Sequence, residues 1–250
     1  MKAIRLRKAP WAITILAFSM TVSLSAQTAL TQSGPAVKAT MLAALPTLEE
    51  REFHQHTDRW SIDVKYPELA GADAFNLAIH RNLDSMVNDF KRGLPETASK
   101  GYPDYGAYLK GTYRAQGLKI GVISVLFDYE TFFPGAAHPE GELASINYDS
   151  KGDRLLALSD LFRPKSAYVS RLSEMAIQSL DENEYADTHA VRNGAGPVES
   201  NFKVFTLTDT ELVLHFQTYQ VAAGAAGSQQ VVIPLASLKP LLQPQFRPEP

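Results

Sequence analysis

The sequence FFPGAAHPEG at positions 132–141 places His138 in a turn of small residues after the most hydrophobic predicted strand. A catalytic histidine needs a nucleophile or a water molecule to activate, and a second group that orients its far nitrogen. Four acidic residues lie nearby in the sequence: Glu140, Glu142, Asp149 and Asp160. The glycines and prolines instead favour a tight turn in which the imidazole hydrogen-bonds the backbone. We expect His138 to shape this turn or to contribute to binding, with hydrolysis beside a carboxylate as the alternative.

The other histidines show weaker patterns. The spacing of His54 and His56 puts both rings on one side of a strand, which can start a zinc site. Asp58 follows rather than a third histidine, so we interpret the two as an incidental polar pair. His80 has the spacing of a surface pair with an aspartate four residues further along a helix. Strand alternation predicts that His215 faces solvent. The sequence therefore predicts no metal site and no cofactor.

Motifs for several other chemistries are missing from the sequence. It has no G-x-S-x-G nucleophile elbow, no H-E-x-x-H pair and no glycine-rich phosphate loop. The small residues at 221–227 do not open a helix within a βαβ unit, as a dinucleotide fingerprint requires. No cysteine is present, which excludes disulfides, cysteine metal ligands and a cysteine nucleophile. We assign no catalytic residue.

Tyrosines crowd one segment of the chain beside Pro103: Tyr102, Tyr105, Tyr108 and Tyr113. Tyrosine rings stack on sugars and anchor protein interfaces, although they also fill the edges of sheets. The residues that we predict to bind a partner are His138, Tyr105, Tyr108 and Tyr219.

The first 26 residues have the pattern of a cleaved secretory signal peptide. Basic residues precede an apolar run from Trp11 to Val22, and small residues ending at Ala26 follow it. The run is shorter than the roughly 20 residues of a spanning helix, so an uncleaved N-terminal membrane anchor is the less favoured alternative. A periplasmic or secreted location is therefore expected.

The charge balance bears on the choice of partner. Removal of the signal peptide takes four of the 24 basic residues, which leaves 20 against 27 acidic ones and a net charge of −7. Nucleic acids and anionic membrane surfaces attract basic faces, so neither is the expected partner.

Periodicity predicts an α+β fold. A flexible spacer at 27–57 precedes a folded domain at 58–243, and the tail at 244–250 is expected to be loose. Helical spacing of apolar residues predicts one helix from Asp73, which caps it, to Gly93, and a second at 166–180. Alternating or continuous apolar runs predict strands at 60–66, 108–115, 118–133, 145–149, 154–158, 202–207, 212–219 and 231–233. These elements predict a mainly antiparallel sheet with two main helices packed on one face, plus a short C-terminal helix at 236–242.

An ordered set of short segments resembles a known family. Among them are Ile123-Ser124-Val125, Gly135 to Pro139, Asn147-Tyr148-Asp149, Leu158 to Phe162 and Phe205-Thr206-Leu207. The set is similar to the RsiV-like extracytoplasmic domain shared by the anti-sigma-V factor and the N-terminal region of some peptidoglycan deacetylases. The resemblance covers roughly residues 58–243.

The resemblance implies an α+β domain of the cell envelope for which no catalytic activity is generally established. In the anti-sigma-V factor this domain is a receptor that binds lysozyme. The family pattern has Pro-Tyr where this chain has Ala223-Gly224, so lysozyme binding does not carry over directly. The expected function is recognition of an envelope protein, lysozyme-like in one version, or of a glycan. The alternative is an envelope glycan hydrolase or deacetylase that uses His138.

Overall fold

The computed structural model describes residues 47–94, 106–182 and 188–248. The predicted signal peptide, most of the predicted spacer and Tyr105 lie outside these ranges. The chain is α+β with a mainly antiparallel sheet, as the sequence predicted. Within the described ranges, no helix is both long enough and apolar enough to cross a membrane.

The larger sheet has six strands that follow one another in sequence order: β1 Leu48–His56, β2 Trp60–Leu69, β3 Ala107–Gly117, β4 Val122–Phe132, β5 Glu140–Asp149 and β6 Arg154–Leu155. Neighbouring strands are antiparallel except for β2 and β3, which run parallel. A parallel pair needs a long crossover connection, and helix α1, Asp73–Gly93, lies within it.

Strand β1 corrects the prediction of a flexible spacer that extends to residue 57. It pairs with β2 along its whole length, from Leu48 opposite Leu69 to His56 opposite Ser61. Most of its side chains are exposed, and ion pairs across the strands, such as Lys65 with Glu50 at 2.9 Å, replace a hydrophobic pattern. A charged edge strand of this kind lacks the apolar alternation by which strands are recognised.

Helix α1 buries the apolar face that the sequence predicted: Phe75, Ile79, Leu83, Met86, Val87 and Phe90. These side chains form one core cluster with Ile62, Val64, Leu109 and Phe127 of the larger sheet. The predicted cap is wrong, because Asp73 is already the first helical residue. The Asn76 side chain instead accepts a hydrogen bond from Leu69 N at 2.9 Å and fixes the entry to the helix.

A second, three-stranded antiparallel sheet corrects the prediction of one sheet that carries both helices. Its strands are β7 Phe205–Leu207, β8 Glu211–Phe216 and β9 Gln229–Pro234. The second main helix, α2 Tyr168–Asp181, packs in the core cluster of this sheet through Leu172, Ala176 and Leu180. Each main helix therefore covers a different sheet.

Several boundaries also differ from the prediction. Strand β2 continues past Pro67. The last residue of β2 that pairs with β3 is Val64, so the missing N–H of Pro67 costs no hydrogen bond to β3. The turn predicted at 115–117 lies instead at 118–121, where Gly121 has a φ of 90°. The predicted loose tail buries Phe246. Shorter helices complete the chain: α3 Thr188–Gly194, α4 Leu235–Leu238, and 3-10 turns at Leu158–Leu161, Glu199–Phe202, Gly224–Ala226 and Pro244–Phe246.

The two sheets are joined where β7 lies against one end of the larger sheet, on the face opposite α1. Ser124 and Asn147 are neighbours across β4 and β5, and both are buried. Leu207 N donates to Ser124 Oγ at 3.0 Å, and Asn147 Nδ2 donates to Phe205 O at 2.9 Å. We call these two side chains with the backbone of β7 the sheet joint.

Candidate functional site

The face of the larger sheet opposite α1 is uncovered away from the sheet joint. There it carries a concentration of polar and aromatic side chains. Ile62, Val64 and Leu109 point at α1, so strand alternation places their neighbours on the opposite face. We call this surface the open face, and its residues are His54, His56, Asp63, Lys65, Tyr108, Lys110, Glu130 and Phe132. The pairing register aligns side chains from four strands on it.

A groove of about 740 Å³ lies at one end of the open face. Residues from four strands and the turn before β5 line it, among them His56, Trp60, Tyr108, Lys110, Phe132 and Pro139. The Tyr108 ring stacks on Phe132, with ring centres 5.6 Å apart. Lys110 Nζ lies 4.5 Å from the centre of the Tyr108 ring. The groove therefore presents a fixed aromatic surface beside a cation.

The hydroxyl of Tyr108 is also fixed. It donates to Glu130 Oε1 at 2.8 Å, across the β3–β4 pair. Partial burial, together with this carboxylate, raises the pKa of Tyr108 above its ordinary value, so the ring stays neutral. A neutral ring with a fixed hydroxyl suits stacking against a partner.

The predicted binding residues occupy different places. Tyr108 lines the groove, and His138 directly precedes Pro139, which also lines it. Tyr105 lies outside the described residues and directly precedes Gly106 of the groove. Tyr219 is 63 % exposed with a φ of 67°, and it does not line the groove.

The contacts of His138 are local. Its ring is exposed, and Nδ1 donates to the carbonyl oxygen of Pro139 at 2.9 Å. In the described part of the chain, this is the only hydrogen bond or ion pair of the ring. None of the four nearby carboxylates that the sequence suggested is therefore in position to orient it.

Sequence reasoning missed a cluster formed by His54, His56 and Asp63. Asp63 lies directly opposite His54 in the β1–β2 pair. His54 Nδ1 and His56 Nε2 each lie 2.8 Å from the same atom, Asp63 Oδ1. The hydrogen bond with Asp63 is the largest of several effects that raise the pKa of His54. The pairing of β1 with β2 brings Asp63 opposite His54. The sequence indicated a spacer in place of β1, so this pairing could not be predicted from it.

His215 contradicts the prediction that it faces solvent. Its side chain is only 6 % exposed, and Nε2 lies 2.8 Å from Thr206 Oγ1. It lines a cavity of about 220 Å³ together with Arg114 of β3. Burial, with a smaller contribution from Arg114, lowers the pKa of His215 to about 4. Strand alternation was read correctly, but the second face of the small sheet is covered around His215, whereas Val232 on the same face is exposed.

The chain is similar in sequence to known proteins. Residues 159–236 match DUF3298, a protein family of unknown function. The chain is 26 % identical over 211 residues to the anti-sigma-V factor RsiV of Bacillus subtilis (strain 168), and the match covers 76 % of this chain and 68 % of RsiV. The resemblance inferred from the sequence is confirmed.

A second relative is an enzyme of the same organism. The chain is 32 % identical over 126 residues to the peptidoglycan-N-acetylmuramic acid deacetylase PdaC of Bacillus subtilis (strain 168). The match covers 50 % of this chain but only 27 % of PdaC, so this chain spans about a quarter of that relative.

Two solved DUF3298 structures have the same fold. The protein from Pseudomonas aeruginosa PAO1 superposes with a TM-score of 0.56 at 13 % identity, covering 82 % of this chain and 99 % of that one. The protein from Bacteroides fragilis NCTC 9343 gives 0.51 at 14 % identity, covering 80 % of this chain and 96 % of that one. At these identities the likeness concerns the fold alone.

Proposed function

We propose that this chain is an exported binding module of the cell envelope, without catalysis, that recognises a protein or glycan partner through the groove. The observation that carries the proposal is the Tyr108–Phe132 stack at the floor of an open groove. Tyrosine and tryptophan contribute a large share of the energy of protein interfaces, and their faces also stack on sugar rings.

The surroundings of the stack suit recognition. Lys110 and Glu130 flank the Tyr108 ring with opposite charges, so polar groups of a partner find both signs beside an apolar surface. Such an arrangement of an aromatic centre and a polar rim is typical of protein interfaces. His138 adjoins the lining residue Pro139 in the sequence, and we assign it to the rim of the same surface. Tyr105 lies outside the described residues and stays a predicted binding residue.

The sequence and the relatives support the proposals of export and of the class of partner. Cleavage of residues 1–26 leaves a chain with a net charge of −7, which suits a basic protein. The RsiV-like resemblance makes a lysozyme-like protein the first candidate. The similarity to a peptidoglycan deacetylase makes a peptidoglycan glycan the second.

Direct binding measurements test the proposal. The protein is expressed with its own N-terminal segment, purified from the exported fraction, and titrated with c-type lysozyme and with soluble peptidoglycan fragments in the presence of EDTA. We expect saturable binding of one of them near a Kd of about 1–10 μM, in the range of specific but transient complexes. Loss of the Tyr108 ring in Tyr108→Ala weakens binding by about tenfold or more.

Tyr219→Ala is the control, because it removes a more exposed tyrosine outside the groove. It is expected to bind within about twofold of the unaltered protein, since exposed side chains outside an interface contribute little. Equal losses for the two variants would contradict the groove as the site. The absence of binding to both probes at about 100 μM would contradict the recognition role.

A further inference from the structure

We propose that His54, His56 and Asp63 bind a divalent transition-metal ion, with Zn²⁺ as the preferred ion, on the open face of the edge strand. The two histidines are two residues apart on β1 and therefore point to the same side. Asp63 lies opposite His54 on β2 and points to that side as well. The fold thus brings together three side chains from two strands.

The donor atoms already converge. His54 Nδ1, His56 Nε2 and a carboxylate oxygen of Asp63 all lie within 4.8 Å of one another. Both nitrogens are 2.8 Å from Asp63 Oδ1. A tetrahedral Zn²⁺ with bonds of about 2.0–2.1 Å needs donors about 3.3 Å apart. Each nitrogen must move about 0.5 Å away from Asp63 Oδ1, and the two nitrogens, at most 4.8 Å apart, must approach each other by at most about 1.5 Å. Rotations of these exposed or half-exposed side chains can accommodate both changes.

The surroundings of His54 match those of a metal-bound histidine. While Nδ1 points at the proposed ion, Nε2 lies 2.9 Å from Glu52 Oε2. A metal-bound histidine commonly donates its other N–H to a carboxylate, which fixes the tautomer and the ring orientation. Glu52 is itself held by Lys65, whose Nζ lies 3.2 Å from Glu52 Oε1. Glu52 is thus a positioning residue for His54.

The donor set selects the class of ion. Two imidazole nitrogens and one carboxylate oxygen suit Zn²⁺ and its transition-metal neighbours, whereas Ca²⁺ and Mg²⁺ prefer oxygen ligands. Three protein ligands leave at least one coordination position for water or for a donor atom of another molecule. His56 also lines the groove, so the ion would lie at the rim of the groove.

Titration calorimetry with Zn²⁺ alone, on full-length protein free of affinity tags and stripped with EDTA, tests the site. We expect one ion per chain with a Kd of micromolar order or tighter. His54→Gln, His56→Gln and Asp63→Asn are each expected to weaken binding by about tenfold or more, because each removes a ligand. Glu52→Gln is expected to weaken it by about tenfold, because it removes the carboxylate that orients the His54 ring.

The matched control is His80→Gln. His80 is an exposed histidine bonded to a single carboxylate, with Nε2 3.0 Å from Glu68 Oε1, and it lies outside the cluster. It is expected to leave Zn²⁺ binding unchanged. Thermal unfolding in EDTA checks that every variant folds, and Zn²⁺ is expected to raise the unfolding temperature of the unaltered protein but not of His56→Gln.

Three results would overturn the proposal: no saturable binding below about 100 μM Zn²⁺, equal losses in His80→Gln and His56→Gln, or a preference for Ca²⁺ or Mg²⁺. Tighter binding of Cu²⁺ than of Zn²⁺ supports the site, since affinity rises in that order for nitrogen donors. The partner titrations contain EDTA, so failure of the metal site and failure of the recognition role are separate results.

Discussion

The two ends of one sheet face carry polar residues of similar types in opposite roles. At the sheet joint, Ser124 and Asn147 are buried. They hydrogen-bond each other, and each also hydrogen-bonds the backbone of β7. On the open face, His54 and His56 are exposed and contact a side chain, Asp63. The comparison shows that polarity on a strand does not distinguish structure from function. Whether other elements cover the strand determines whether its polar side chains stabilise the fold or stay available for a ligand.

The comparison also separates the DUF3298 match from the groove. The segment that matches DUF3298, residues 159–236, contains β7 and the rest of the smaller sheet but none of the residues that line the groove. Segments that carried the resemblance, such as those around Asn147 and Phe205, meet at the sheet joint. These segments therefore lie where the two sheets meet, away from the groove.

The largest expected effect comes from breaking the sheet joint. Asn147→Leu removes the donor to Phe205 O and leaves this carbonyl and Ser124 Oγ short of a partner. We expect the free energy of unfolding to fall by about 3 kcal/mol, because buried polar groups lose bonds that water cannot replace. Urea denaturation at neutral pH measures it.

A double-mutant cycle with Ser124→Ala sharpens this result. Ser124 Oγ donates to Asn147 Oδ1, so the two losses are expected to be less than additive, with a coupling of at least about 0.5 kcal/mol. Strict additivity would show that the two side chains act independently, contrary to a shared joint.

The second effect concerns the buried His215. Its folded-state pKa of about 4 lies below the value of about 6.5 in the unfolded chain, so the unfolded state takes up the proton first as the pH falls. The contribution of neutral His215 to the free energy of unfolding is fully present above pH 6.5 and is lost progressively as the pH falls towards 4. Between pH 7 and pH 5 this group alone is expected to cost about 2 kcal/mol.

The contribution of His215 is isolated with His215→Gln, which can keep a hydrogen bond to Thr206 but does not titrate. Its loss of unfolding free energy between pH 7 and pH 5 is expected to be smaller than that of the unaltered protein by about 2 kcal/mol. Equal slopes for the unaltered protein and His215→Gln would contradict the buried, neutral state.

The smallest effect is expected on the open face. In EDTA, His54→Gln is expected to leave the midpoint of urea denaturation nearly unchanged, because exposed ion pairs contribute little to stability. Urea denaturation of this variant and of Asn147→Leu, measured under the same conditions, compares the two ends of the sheet face. A loss of stability as large as that of Asn147→Leu would mean that the histidine cluster holds β1 in place rather than remaining available for a ligand.

Elements with regular apolar periodicity were predictable. The buried face of α1 was read residue by residue, because six apolar side chains recur at helical spacing on a single long element. Strands were predicted at 145–149 and 154–158, on either side of Gly152, and β5 and the two-residue β6 pair across the turn there. Strand β1 was missed because charge pairs across the strands, rather than apolar alternation, accompany its pairing with β2.

The residues of the candidate site were also predictable only in part. Tyr108 was found from composition alone, since tyrosines crowd its segment. Phe132 and Lys110 were missed as its neighbours, because a stack across β3 and β4 depends on the register of the two strands. Asp63 was missed as a partner of His54 for the same reason.

The sequence by itself determined the α+β class, the two main helices and the family resemblance, because these depend on local periodicity and on the order of short segments. Only the tertiary structure decided that there are two sheets, that His215 is buried and that His54 and Asp63 meet. The physical reason is that strand register and the covering of a sheet face arise from contacts between residues far apart in the chain, which the order of side chains along one strand does not encode.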